Sequence, residues 1–107
     1  AYSPGSATAV KVKYNANTGK WDYSCSYKGW RSGAKVTWGC KLTTRYYVPS
    51  TGWQEIVVDN HTGSWTPSPT SKKTPVYHEP MAIGQPNLCV IATALSVDGG
   101  DKQIVCN

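Results

Sequence analysis

Proton transfer near neutral pH would rest on His61 and His78, the two histidines of the chain. RNA hydrolysis by a small secreted domain calls for His, Glu and Arg in one cleft, and Arg45, Glu55, His61, His78 and Glu79 are the residues on offer. His78 and Glu79 are sequence neighbours, so in an extended segment their side chains point to opposite faces and do not act as a unit. Neither a Gly-x-Ser-x-Gly turn nor a Cys-His arrangement is present. Glycoside hydrolysis needs two carboxyl groups flanking a cleft, and the six acidic residues lie outside apolar stretches that would raise their pKa. Residue 1 is Ala, which removes N-terminal histidine copper chemistry. No catalytic residue, metal ligand or cofactor is assigned from these positions, and a ribonuclease stays as the last of three readings.

The cysteines carry a clearer message. Cys25, Cys40, Cys89 and Cys106 are even in number and widely spaced, without a CxxC pair or zinc-finger spacing. Oxidised pairs are expected, and with them a secreted, extracellular protein. The chain opens on Ala1 with no apolar leader and reads as a mature form whose targeting segment has been removed. No run of eighteen apolar residues offers a membrane span. Asn60-His61-Thr62 is a glycosylation sequon for a eukaryotic source.

Binding is the more natural chemistry. The chain has no Phe but seven Tyr and five Trp, so most of its large apolar surface comes with a polar tip. Such a composition reads either as a thin core whose aromatics reach the surface or as a binding face. Lys28-Gly29-Trp30-Arg31-Ser32-Gly33 presents a Trp beside an Arg between glycines, and no strand alternation buries Trp30. This tip is a candidate for stacking on a sugar ring or anchoring a protein interface, with a Trp folded back over the sheet edge as the structural alternative. Tyr47, Trp53 and Trp65 are further binding candidates, with lids over the core as their alternative. Base stacking beside cations is the nucleic-acid version of the same chemistry. Nine Lys and two Arg, net charge +5, are spread along the chain rather than clustered. Strand alternation explains them as solvated residues, so no nucleic-acid partner or polyanion site is expected.

What must position these residues is a set of strands. In Val10-Lys11-Val12-Lys13-Tyr14, apolar residues point one way and lysines the other. Trp21, Tyr23, Cys25 and Tyr27 alternate with polar residues, as do Ala34, Val36, Trp38, Cys40 and Leu42. This is the period of a half-buried antiparallel strand. Further strands are expected at 41–48, 53–59, 88–97 and 102–106, with turns at Pro49–Gly52 and Asp98–Asp101. No helical pattern competes. Residues 60–87, rich in Pro, Ser and Thr, read as one long loop with a short edge strand near 76–78, anchored over the sheet by Trp65, Tyr77, Met81 and Ile83. One domain, 1–107, is expected.

Four cysteines allow three pairings. If 20–28 and 34–42 form a hairpin, Cys25 faces Cys40 on its apolar side, at a spacing a disulfide bridges. Cys89 must then pair with Cys106, although a hairpin centred on Gly99-Gly100 would run Cys89 past the end of the chain, so a bulge or bend is needed. A rival arrangement follows from Cys25, Trp38 and Cys89, whose spacing resembles an immunoglobulin variable-type core. It pairs Cys25 with Cys89, but lacks the Tyr at position 87, which is Asn, and leaves Cys40 with Cys106 unexplained.

The windows Trp21-Asp22-Tyr23-Ser24-Cys25-Ser26, Pro86-Asn87-Leu88-Cys89 and Ile104-Val105-Cys106 resemble small secreted proteins of filamentous fungi, in particular the major Alternaria allergen family. The resemblance covers about a fifth of the chain. It implies an extracellular β-barrel with local pairing of Cys25 with Cys40 and Cys89 with Cys106, and a non-enzymatic role at a host interface. The expectation is therefore an all-β antiparallel sandwich or flattened barrel of about six to eight strands, stapled by two disulfides. Its leading function is a secreted effector or toxin acting on a host or competitor protein. A module binding cell-wall glycan is the alternative.

Overall fold

A computed structural model describes residues 2–68, 71–80 and 87–107. Eight strands run through them: β1 (Ser6–Asn15), β2 (Lys20–Lys28), β3 (Val36–Val48), β4 (Gly52–Trp65), β5 (Lys72–Lys73), β6 (Tyr77–Glu79), β7 (Leu88–Ser96) and β8 (Gly99–Cys106). They form two antiparallel sheets. Sheet A has the order β1-β2-β5, with β6 also pairing β2, and sheet B has the order β4-β3-β7-β8. The molecule is an all-β sandwich only 17 Å across its thin dimension. No helix long and apolar enough to cross a membrane occurs among the described residues.

The core lies between the sheets. Ala7, Ala9 and Val12 of β1, Tyr23, Cys25 and Tyr27 of β2, Val36, Cys40 and Leu42 of β3, and Leu88, Val90, Ala92 and Ala94 of β7 fill it. These are the inward members of alternating series, as the sequence pattern requires. Tyrosines fit where Phe would not, because their hydroxyls reach across to the opposite sheet. Tyr23 Oη donates to Asp59 Oδ2 at 2.7 Å, and Tyr27 Oη to the Gly39 carbonyl at 2.7 Å. A buried hydroxyl is tolerated only with such a partner.

Two bulges correct the expected alternation. In β1 the register shifts between Val10 and Lys13, so Lys11 and Val12 together oppose one residue of β2. Val12 is buried, whereas Val10 is turned to solvent and 44% exposed. In β4 the register with β3 shifts between Leu42 and Thr43, which leaves Val58 as the extra residue. A bulge flips every later side chain to the other face. Trp53, Glu55 and Val57 therefore lie outside, while Asp59, His61 and Trp65 lie on the core side of the same strand. Strand β4 also extends to Trp65, so residues 60–65 belong to the sheet and not to the expected loop. Met81 and Ile83, expected as anchors of that loop, lie outside the described residues.

Both local disulfides are formed, Cys25–Cys40 and Cys89–Cys106. The first has the expected partners for a different reason. Strands β2 and β3 are not a hairpin: they belong to different sheets, and the bond crosses the core with both cysteines buried. The second is simpler than expected. The β7–β8 turn is Val97-Asp98, with Ser96 opposite Gly99, two residues earlier than the Asp98–Asp101 turn the glycines suggest. Gly99 takes a φ of 120° immediately after it. This register sets Cys89 directly opposite Cys106, and no bend is needed.

Trp30 is likewise corrected. It is buried, 1% exposed, and not a surface platform. Its Nε1 donates to the Ser6 carbonyl at 3.0 Å, and a Cβ on Gly5 would come within 2.6 Å of its ring. Gly5 thus makes the space that lets the indole fold under the N-terminal strand.

Replacing both cysteines of the inter-sheet bond (C25A/C40A) should lower unfolding free energy by about 3 kcal/mol through loop-closure entropy, with added loss from the vacated core. Urea unfolding of the double variant checks this. A change below about 1 kcal/mol would mean that hydrophobic packing alone holds the sheets together.

Candidate functional site

Three of the exposed aromatics, Tyr46, Tyr47 and Trp53, gather at one end of sheet B. Beyond Thr44 the β3–β7 ladder ends, with the Arg45 amide donating to the Asn87 carbonyl at 3.2 Å, and β3 continues paired with β4. This ribbon carries Tyr46, Tyr47, Trp53 and Ile56, each between 44% and 58% exposed. Tyr47 and Trp53 are cross-strand partners on the outer face, with ring centroids 5.6 Å apart in an edge-to-face arrangement. Their neighbouring pair in the ladder is Arg45 and Glu55. The Arg45 guanidinium lies 5.4 Å from the Trp53 ring centroid, and Lys41 Nζ lies 4.0 Å from Glu55 Oε1.

Below Trp53 the outer face hollows into two adjoining clefts, of about 260 and 370 Å³. Arg45, Trp53 and Cys89 line both, Asn87 and Cys106 complete one, and Gln54, Glu55 and Ile104 complete the other. The Cys89–Cys106 bond fixes this floor by joining the two strands beneath it. Asn107 locks the end of the sheet further, exchanging hydrogen bonds with Leu88. The arrangement is an aromatic platform ringed by a guanidinium, a carboxylate and amides, on a rigid base. Asn60, the sequon residue, opposes Lys41 and lies on the same face.

Of the residues singled out from sequence, Tyr47 and Trp53 are brought together here, and Arg45 and Glu55 join them. Trp30 and Arg31 do not. Arg31 is held by Asp98, Nε to Oδ2 at 2.9 Å, and its guanidinium sits 4.2 Å above the Tyr2 ring. Trp65 is half-buried against Tyr27, centroids 5.8 Å apart, and acts as a lid over the core.

Asp59, His61, Tyr77 and Glu79 form a second cluster between the two sheets. Asp59 Oδ2 accepts from Tyr23 and contacts His61 Nε2 at 2.9 Å. His61 stacks flat on Tyr77, centroids 3.6 Å apart and planes within 3°. The cluster ties β2 and β6 of sheet A to β4 of sheet B. Burial pushes the Asp59 pKa up, but the hydrogen bonds from Tyr23 and His61 outweigh it and hold the carboxyl below its usual range. Burial and then the Asp59 charge hold Glu79 above its usual range. His78 is elsewhere, on the outer face of sheet A, with Nδ1 2.6 Å from Asp22 Oδ1, a contact that lowers the Asp22 pKa. The five residues named for RNA hydrolysis thus occupy three separate places: Arg45 with Glu55, His61 with Glu79, and His78 alone.

Asp59 and the His61–Tyr77 stack were not legible as a unit, because no short motif joins them. A lowered carboxylate pKa adds stability that is present above the unfolded value and is lost as pH falls through the folded one. Glu79 works oppositely, so stability falls as pH rises through its raised pKa. Thermal midpoints measured from pH 2 to 7 should show a steep acid limb below about pH 4 that is blunted in Asp59→Asn. That variant should cost about 1 kcal/mol at neutral pH. An acid limb identical to wild type would remove Asp59 from this account.

Comparison with protein-family models, with curated proteins and with solved structures gives no match to this chain.

Proposed function

We propose that the protein is a secreted, non-catalytic binding module whose Tyr47–Trp53 platform takes a cell-wall polysaccharide. The observation that carries this reading is the exposed edge-to-face pair set above clefts lined by Arg45, Gln54, Glu55 and Asn87. A sugar ring offers an apolar C–H face to an indole and equatorial hydroxyls to charged and amide side chains around it. A two-stranded ribbon that reaches past the end of the β3–β7 ladder offers an extended exposed face to a long polymer. Two disulfides in a core this thin fit an extracellular setting.

A second reading keeps the same face but gives it a protein partner at a host or competitor surface, the role that likeness to the Alternaria allergen family implies. Val57, Leu95 and Ile104 are exposed on the outer face of sheet B, at 50%, 61% and 51%. With Trp53, Tyr47 and Arg45 they have the composition of an interface centre.

Pull-down on insoluble chitin, cellulose and β-glucan distinguishes the two. Retention on one polymer should survive added salt and fall roughly thirtyfold in Trp53→Ala, about 2 kcal/mol for loss of a stacking anchor. The same variant should leave unfolding free energy within about 0.5 kcal/mol of wild type, since Trp53 is a surface residue. Trp30→Ala, by contrast, should lose about 3 kcal/mol or more of stability. No retention on any polymer would refute the polysaccharide reading and leave the protein partner.

A further inference from the structure

The outer face of sheet A has a different chemistry from the outer face of sheet B. Spread along the sequence, its lysines read as a solvated face; folded, four of them line one groove. Lys11 and Lys13 line its upper part, and Lys28 and Lys73 its lower part. The two parts share Val10, Ser24 and Val76 and are continuous. The bulge in β1 is what brings Lys11 to this side, next to Lys13. The short strand β5 supplies Lys73 by pairing it with Ser26.

Positive charge dominates here, four lysines against the Asp22 carboxylate. None of the four lysines makes an ion pair among the described residues. Among the described residues Asp22 is the one carboxylate that lines the groove, and it is engaged by His78. The other five acids are placed elsewhere: Asp98 on Arg31, Glu55 beside Lys41, Asp59 in the Tyr23–His61 cluster with Glu79 near it, and Asp101 accepting from the Ala7 amide at 2.8 Å.

We infer that this groove binds an acidic polysaccharide, a chain of sugars carrying carboxylates, independently of the Tyr47–Trp53 platform. Charge complementarity calls for a polyanion. The floor selects its class. Val10 and Val76, 44% and 52% exposed, present aliphatic surface to sugar C–H groups, and Ser24 and Ser26 present hydroxyls. Among the described residues that line the groove the only aromatic is Tyr23, whose ring is buried in the core, so none of them offers a surface for stacking a nucleic-acid base. Nor do the described residues that line it form a large apolar ridge to enter a lipid headgroup layer.

Titration calorimetry with polygalacturonate, and with its fully methyl-esterified form, tests this on the intact protein. Binding to the acid form, absent with the ester and weakened by salt, is expected. K11Q/K28Q/K73Q should weaken it about tenfold or more relative to K35Q/K41Q/K102Q, which removes the same charge elsewhere. Trp53→Ala should leave it unchanged, so failure of the platform and failure of the groove are read separately. Equal loss in the two triple variants would reduce the effect to net charge and overturn the site. Absence of binding would do the same. Equally tight, lysine-dependent binding of single-stranded DNA or of phosphatidylglycerol vesicles would overturn the polysaccharide assignment. Circular dichroism of each variant confirms that it is folded.

Discussion

Strict two-residue alternation governs which face each side chain of a strand can reach, and both surfaces of this protein depend on resetting it. Odd-numbered residues from Trp53 to Trp65 form one unbroken series along β4. Without an extra residue, Trp53 would share a face with Trp65 and point toward the core side. Val58 breaks the series, so that the C-terminal half packs inward while the N-terminal half displays Trp53 beside Tyr47. The bulge between Val10 and Lys13 does the same for β1: Ala7 and Ala9 pack inward before it, and Lys11 joins Lys13 on the outside after it. A bulge costs a ladder bond and is retained where it re-aims a side chain. Here the two bulges set the aromatic platform and the basic groove.

The thin core follows from the same economy of layers. Many of its positions are Ala, Cys or Val, and its largest side chains are amphipathic. Each of these sends its polar atom to a defined acceptor, Tyr23 to Asp59, Tyr27 to Gly39 and Trp30 to Ser6. Such pairing specifies one arrangement of the sheets more narrowly than Phe would, because a shifted sheet strands a buried hydroxyl. Cys25–Cys40 then fixes the separation covalently. At the far edge, Asp101 and Gln103 of β8 accept hydrogen bonds from the Ala7 and Ala9 amides of β1, at 2.8 Å each. Side chains of one sheet thereby cap the open edge of the other, which protects an edge strand from pairing with another chain.

Most strands and the inward faces of β2 and β3 are legible because alternation is a local signal, whereas the two disulfide pairings are reached through a hairpin and a bend that the structure does not contain. What lay beyond reach was long-range. The Cys25–Cys40 pairing came from an assumed hairpin, yet adjacent strands in sequence fell in different sheets, and opposed sheets bring two inward cysteines together as readily as a hairpin does. Trp30 looked exposed because its burial depends on Gly5, twenty-five residues away, leaving room for the ring. The β7–β8 turn was placed on its glycines, whereas the cross-strand pairing of Cys89 with Cys106 requires Val97-Asp98. The aromatic site was half visible: Tyr47 and Trp53 were marked, but nothing in the sequence shows that Val58 is skipped and that Arg45 and Glu55 stand beside them.

The two outer faces cannot act on one straight chain at once, since the sandwich separates them by its full thickness of 17 Å. They also differ in what weakens them. Charges on an exposed sheet are screened over a Debye length of about 8 Å at physiological salt, so the lysine groove responds to ionic strength. A sugar packed on an indole loses little on that account, because its gain comes from apolar contact and shape. With both proposed sites occupied, a neutral polymer on sheet B and an acidic one on sheet A, ionic strength would shift the balance between them. Among the described residues, the Arg31–Asp98, Lys41–Glu55 and His61–Asp59 pairs lie off the outer face of sheet A and His78–Asp22 lies on it; pairing the sheet A lysines as well would stabilise the fold only slightly and would cancel the positive charge that distinguishes that surface.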